Sequence, residues 1–157
     1  MKKFLLLSML CFFASISMKG QCNKYDGDWN ATFRGLGVKT MEWGTGKRIY
    51  RIKTIEGKTT VRAKVQYPSE DEYTYYEFIV TSCTEASLDC YSVTSSHYDD
   101  KSGEDVQVKW FCRLSYNSGT LLADCYHEQY FLKNGDVLRS VKYYEEKFTL
   151  YKDGDDW

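Results

Sequence analysis

The sequence predicts an all-β fold: an antiparallel up-and-down meander of about eight strands closed into a barrel, with a β-sandwich as the alternative. Three observations carry this. Turn signals recur at short intervals, at Gly44-Thr45-Gly46, Glu56-Gly57, Pro68 to Glu72, Lys101-Ser102-Gly103, Asn117-Ser118-Gly119 and Asn134-Gly135. The segments between them are rich in Tyr, Val and Thr, which suit a pleated surface. The 157 residues hold 14 tyrosines and a single proline, and every connection is short enough for a hairpin.

The first strand, 28–36, carries Trp29 and Phe33. Strands 47–56 and 58–67 follow, joined at Glu56-Gly57, so that Ile52 meets Val61 and Tyr50 meets Ala63. Strand 73–83 keeps the same apolar face if Val61 lies opposite Val80 and Ala63 opposite Phe78. Strand 90–98 continues it with Cys83 opposite Cys90 and Val80 opposite Val93. Strands 105–116 and 120–132 turn at Ser118-Gly119, which sets Lys109 against Glu128 and Arg113 against Asp124, two stabilising cross-strand charge pairs. The last strand, 137–151, competes with a helical stripe of Val137, Val141, Tyr144, Phe148 and Tyr151. The strong hairpin signal of Asn134-Gly135 favours the strand.

Residues 1–20 read as an export signal: Lys2 and Lys3, then an apolar run from Phe4 to Ile16 that is too short to span a bilayer. One domain, 21–157, remains, expected to be secreted or periplasmic with no transmembrane segment. Cys22 raises the question of a lipid anchor, but Lys19-Gly20-Gln21 departs from the residues that precede a lipidated cysteine, which argues against one. Losing Lys2, Lys3 and Lys19 takes the formal charge from −1 to −4. That balance gives no reason to expect a nucleic-acid partner, whose phosphates need Lys and Arg.

In an oxidising compartment the remaining cysteines are disulfide candidates before they are metal ligands. Cys112 and Cys125 fall opposite each other on the inward face of one hairpin. Cys90 and Cys112 project to opposite faces in this register. The predicted bridges are Cys83–Cys90 and Cys112–Cys125, leaving Cys22 unpaired or intermolecular.

Chemistry is sparse. His97 and His127 both point inward, but their levels differ by about 13 Å of strand at ~3.3 Å per residue, too far to share a metal. Cys125 is spent in a disulfide, so it makes no nucleophile with His127. The Asp153-Gly154-Asp155-Asp156 stretch is too short for a calcium loop. No metal, cofactor or catalytic residue is therefore expected. The interior is the candidate site for a small apolar ligand, lined by Trp29, Phe33, Tyr50, Phe78, Trp110 and Phe131, with His127 and Gln129 as polar groups. An alternative lies outside. Phe111 opposite Tyr126, and Tyr126 opposite Tyr143, form an outward aromatic row with Tyr130 beside Arg139, a surface for a protein or glycan partner.

Gly27-Asp28-Trp29 before the first strand of an eight-stranded meander resembles the calycins, lipocalins in particular. The resemblance implies a barrel whose floor is closed by Trp29, an arginine of the last strand packed on that ring, and a small apolar molecule bound inside. The chain lacks the Thr-Asp-Tyr turn of that family, and its only last-strand arginine, Arg139, is expected to point outward.

Overall fold

The alternation of apolar and polar residues builds a closed barrel of eight antiparallel strands in chain order. The computed structural model describes residues 22–37 and 41–153; the expected leader and most of the acidic tail lie outside these. A short 3-10 turn, Asn23–Tyr25, leads into β1 (Gly27–Leu36), β2 (Trp43–Ile55), β3 (Lys58–Gln66) and β4 (Tyr73–Cys83). β5 (Leu88–Asp99), β6 (Glu104–Asn117), β7 (Thr120–Lys133) and β8 (Asp136–Asp153) complete it. Three connections are two-residue hairpins with both central residues at positive φ: Glu56-Gly57, Ser118-Gly119 and Asn134-Gly135. Such turns carry the twist of the strands they join, which is why Asn134-Gly135 prevails over the helical stripe that follows it.

Two registers agree with the turn signals. β2 and β3 pair Ile52 with Val61 and Tyr50 with Ala63. β6 and β7 pair Lys109 with Glu128, Cys112 with Cys125 and Arg113 with Asp124. The charges then reach sideways: Arg113 donates two hydrogen bonds to Asp89 on β5, at 2.7 and 3.2 Å. Asp124 instead pairs with Lys147 of β8 at 3.1 Å.

Other registers differ from expectation. β3 and β4 are offset by two residues, so Val61 faces Phe78 and Ala63 faces Tyr76, with the inward face unchanged. Between β4 and β5 a tight turn forms where the Thr84 N–H and hydroxyl donate to Ser87 O and the Ser87 N–H donates to the Thr84 hydroxyl. This turn carries β5 back to Leu88 and places Val80 opposite Cys90. Cys90 therefore faces inward, directly across from Cys112. The expected Cys83–Cys90 bridge is corrected to Cys22–Cys83, and Cys112–Cys125 is present. Cys90, not Cys22, is the free thiol, and it is buried. With Cys90 and Ser92 inward, alternation carries Val93 outward, not inward, opposite Lys109, and a bulge follows between Val93 and Ser95.

β8 carries two bulges against β7, at Leu138 and Tyr143. Each adds a residue and shifts the alternation by one. Its inward residues thus become Arg139, Val141, Tyr144, Glu146, Phe148 and Leu150, opposite the inward residues of β7. Val141, Tyr144 and Phe148 of the apparent helical stripe belong to this interrupted period of two, whereas Val137 and Tyr151 are exposed. Arg139 is corrected from an outward place beside Tyr130 to one over the Phe131 ring, 3.4 Å from its centroid.

One end of the barrel is sealed. Tyr25 and Trp29 are fully buried there, and the Trp29 Nε1–H donates to Tyr25 O at 2.7 Å. The Tyr25 hydroxyl donates to Thr84 O at 3.2 Å, and Cys22–Cys83 staples this plug to β4. A lysine, Lys152 of β8, stands over the Trp29 ring at 5.4 Å, where the resemblance implies an arginine. Among the described residues, β1 and β8 close the barrel through three pairs, Asp28, Trp29 and Asn30 against Asp153, Lys152 and Tyr151. Beyond those pairs the two strands part, leaving a seam without backbone hydrogen bonds.

Candidate functional site

The lower half of the interior is solid. Tyr50, Ile52, Val61, Ala63, Phe78, Leu88, Leu114 and Leu121 pack with the Cys112–Cys125 bridge into one apolar cluster. Above it, where β1 and β8 diverge, a cavity of about 340 Å³ opens. β1 contributes Phe33 to Leu36, β3 contributes Val65, and β8 contributes Tyr143, Tyr144 and Glu146. Trp110, His127, Tyr67 and Tyr76 complete the wall around Arg48.

Arg48 bridges the seam. It sits on β2 at an inward position, opposite Ala31 of β1. Its guanidinium is held between the rings of Phe33 and Phe148, 4.3 and 4.5 Å from their centroids, and pairs with the Glu146 carboxylate of β8. Side chains thus join β1, β2 and β8 where the backbone ladder has stopped. Gly46 makes this possible: it lies opposite Phe33, and a Cβ there would come within 2.5 Å of that ring. Burial is the largest effect and works against the Arg48 charge, but the hydrogen bond to Glu146 and the charge interactions with Tyr50, Glu146 and Tyr144 together outweigh it, so Arg48 is held more firmly protonated than a free guanidinium.

The aromatic wall is ordered by stacking. His127 lies nearly parallel to Trp110, with centroids 5.6 Å apart, and its other contacts are Tyr143 at 5.9 Å and Tyr144 at 5.5 Å. Burial lowers the His127 pKa, so the ring is neutral at neutral pH. The Tyr67 and Tyr76 hydroxyls bond each other at 2.9 Å, and the Tyr144 hydroxyl donates to Glu146 at 3.3 Å. Burial, then the hydrogen bond with Tyr67, push the Tyr76 hydroxyl well up. Two buried donors of the cavity residues, Arg48 Nε and Trp110 Nε1, have no partner among the described residues.

Of the residues expected to line the interior, Phe33, Trp110 and His127 do so. Tyr50 and Phe78 are packed beneath, 6.1 and 5.1 Å from the Trp110 ring. Trp29 lies at the sealed end. Gln129 and Phe131 lie further towards the rim, paired with Val141 and Arg139. His97 is exposed. Sequence reasoning omitted Arg48, Tyr76, Tyr144 and Glu146. Alternation back from Tyr50 puts Arg48 on the inner face, so that signal was legible. Alternation from the Asn134-Gly135 turn likewise puts Tyr144 and Glu146 on the inner face, because the two bulges of β8 cancel beyond Tyr143.

The outward row is real in part. Tyr91, Phe111 and Tyr126 form a ladder, with centroid spacings of 5.5 and 4.9 Å. Lys142 covers the other side of Tyr126 at 4.2 Å, and Lys109 spans Tyr91 and Tyr130 at 5.2 and 4.8 Å. The Tyr130 hydroxyl donates to Glu128, and burial followed by that bond push its pKa up to about 12. Tyr143 is corrected out of this row: Tyr126 faces Glu145, and Tyr143 in its bulge turns to the cavity. The ring faces of the ladder are spent on one another and on lysines.

Among the described residues no group of His, Cys, Asp or Glu could hold a metal ion, and no helix is long and apolar enough to cross a membrane. Comparisons with protein-family models, curated proteins and solved structures find no match for this chain.

Proposed function

We propose that this chain is an exported, non-catalytic β-barrel that holds a small apolar molecule in the cavity between β1 and β8. The observation that carries this reading is the contrast between the two halves of the interior. The lower half is one continuous cluster of buried side chains, whereas the upper half keeps about 340 Å³ clear beside a wall rich in aromatic side chains. Two disulfides and the basic-then-apolar leader support an oxidising, exported setting. The Glu146 carboxylate that acts on His127 through space is engaged by Arg48, which supports reading the neutral ring as part of the cavity wall.

The test is titration of the mature protein with the neutral fluorescent probe N-phenyl-1-naphthylamine. Saturable binding is expected, weakened by Val65→Trp, which fills the cavity. Absence of saturable binding by folded protein refutes the reading. The outward ladder is the competing surface, and Phe111→Ser with Tyr126→Ser leaves the titration unchanged if the cavity is the site.

A further inference from the structure

We propose that the outer face of β1, β2 and β3 is a docking surface, and that its occupant is the chain's own segment Gly154-Asp155-Asp156-Trp157, which lies outside the described residues. The pairings align one row across five strands: Tyr151, Asn30, Ile49, Lys64 and Tyr75, each directly opposite the next. Arg48 and Tyr50 point into the barrel, so alternation aims this row outward. Burial along it is uneven. Tyr151 and Tyr75 at its ends are exposed, whereas Ile49 and Lys64 in the middle are 0% and 7% exposed. Outward aliphatic residues elsewhere on the wall, Ile79, Val93 and Leu122, keep 55%, 46% and 43%. Among the described residues the eight strands form a single-layered wall with the 3-10 turn at its sealed end, so none of these elements lies over Ile49.

Charge selects the occupant. The face is basic: Lys47 and Arg51 flank Ile49 along β2, and Arg62 flanks Lys64 along β3. The segment after β8 brings two carboxylates, Asp155 and Asp156, and one large apolar ring, Trp157. An aliphatic side chain ringed by cations suits that combination, with the ring on the isoleucine and the acids towards the lysines. The leader, the other long stretch outside the described residues, brings Lys2, Lys3 and Lys19, of the same sign as the face.

Reach agrees with charge. β8 ends at Asp153, paired with Asp28 of β1. Ile49 lies two strands across and two residues along from that pair, about 12 Å away at ~4.8 Å between strands and ~3.3 Å per residue. Four extended residues span about 13 Å, and the tryptophan side chain reaches further. Gly154 comes first and gives the backbone the freedom to turn out of the sheet. Docked in this way, the segment straps β8 to β2 and β3 across the place where three pairs join β1 to β8. The strap is independent of what the cavity binds.

The experiment couples carboxylates to amines in the mature protein with a zero-length carbodiimide and maps the peptides. The expected cross-link joins Asp155 or Asp156 to Lys64 or Lys47. An equal mixture of heavy-isotope and ordinary protein separates links within a chain from links between chains. Absence of the link overturns the proposal, and mixed-isotope links assign the face to a second copy and overturn it too. A second readout is the rate of lysine acetylation. Trp157→Gly is expected to speed acetylation of Lys64 about ten-fold, because a large apolar side chain no longer holds the cover down, and to leave that of the exposed Lys58 unchanged. Slow acetylation of Lys64 in folded Trp157→Gly protein overturns the proposal. Lys64 that is protected in the precursor but as fast as Lys58 in the mature protein assigns the face to the leader, which also overturns it. Should Trp157→Gly not fold, the cross-link on the native protein decides.

Discussion

The Arg48–Glu146 pair offers the sharpest test of how this barrel is held shut. The two side chains are 7% and 16% exposed, so neither charge keeps much water. Opposite charges about 4 Å apart attract by roughly 4 kcal/mol at an effective dielectric near 20, and each ion gives up several kcal/mol of hydration to reach that place. The two contributions nearly cancel for the pair but not for either partner alone. Arg48→Met keeps an apolar stem between Phe33 and Phe148 and strands the carboxylate; the expected loss is about 3–5 kcal/mol. Glu146→Leu strands the guanidinium and is expected to lose a similar amount. The double variant replaces a buried pair by apolar groups and is expected to lie within about 1–2 kcal/mol of the native protein. Urea unfolding followed by tryptophan fluorescence measures all four corners of the cycle. Raising salt from 0.1 to 1 M leaves this coupling nearly unchanged, unlike that of the exposed pair Arg62–Glu77, 3.1 Å apart with side chains 60% and 78% exposed. Additive single losses, or losses below about 1 kcal/mol, would refute the claim that side chains replace the missing β1–β8 ladder.

Non-reducing peptide mapping is expected to recover Cys22–Cys83 and Cys112–Cys125, with Cys90 alkylated only after unfolding because burial raises its thiol pKa; a Cys83–Cys90 peptide would refute the β4–β5 register. Removing the bridge between residues 61 apart by Cys22→Ser with Cys83→Ser is expected to cost about 4 kcal/mol by loop-closure entropy, read as a lowered urea midpoint. Hydrogen bonds from Arg51 at 2.7 and 2.5 Å hold the Asp28 carboxyl below its usual pKa, so their stabilisation is present above the unfolded-state value near 4 and is lost as pH falls through the lowered one. Asp28→Asn is therefore expected to lower Tm at pH 7 and to flatten its fall in acid; an unchanged acid profile counts against the pair. Gly46→Val is expected to force the Phe33 ring off Arg48 and abolish probe binding while the far-UV spectrum stays β, since the added carbon would lie 2.5 Å from that ring and 2.7 Å from Gln66 O.

The sequence by itself determined the class of fold, the strand order and the registers of β2–β3 and β6–β7. Those hairpins are local: a two-residue turn at positive φ fixes the pairing, and every pair follows from it. The Cys112–Cys125 bridge was legible for the same reason. Tertiary structure alone decided what depends on distant partners or on extra residues. The Thr84–Ser87 turn carries no glycine signal, so its length was invisible, and with it the inward turn of Cys90. Cys22 finds Cys83 across 61 residues because the plug of Tyr25 and Trp29 docks on the barrel end. The bulges at Leu138 and Tyr143 invert the faces and then restore them, so alternation from the Asn134-Gly135 turn already puts Tyr144 and Glu146 inside, and only tertiary structure decides the stretch between the bulges, which turns Arg139 and Val141 inward and brings Tyr143 to the cavity. The cavity arises from the early end of the β1–β8 ladder, a property of how the two ends of the chain meet and not of either strand.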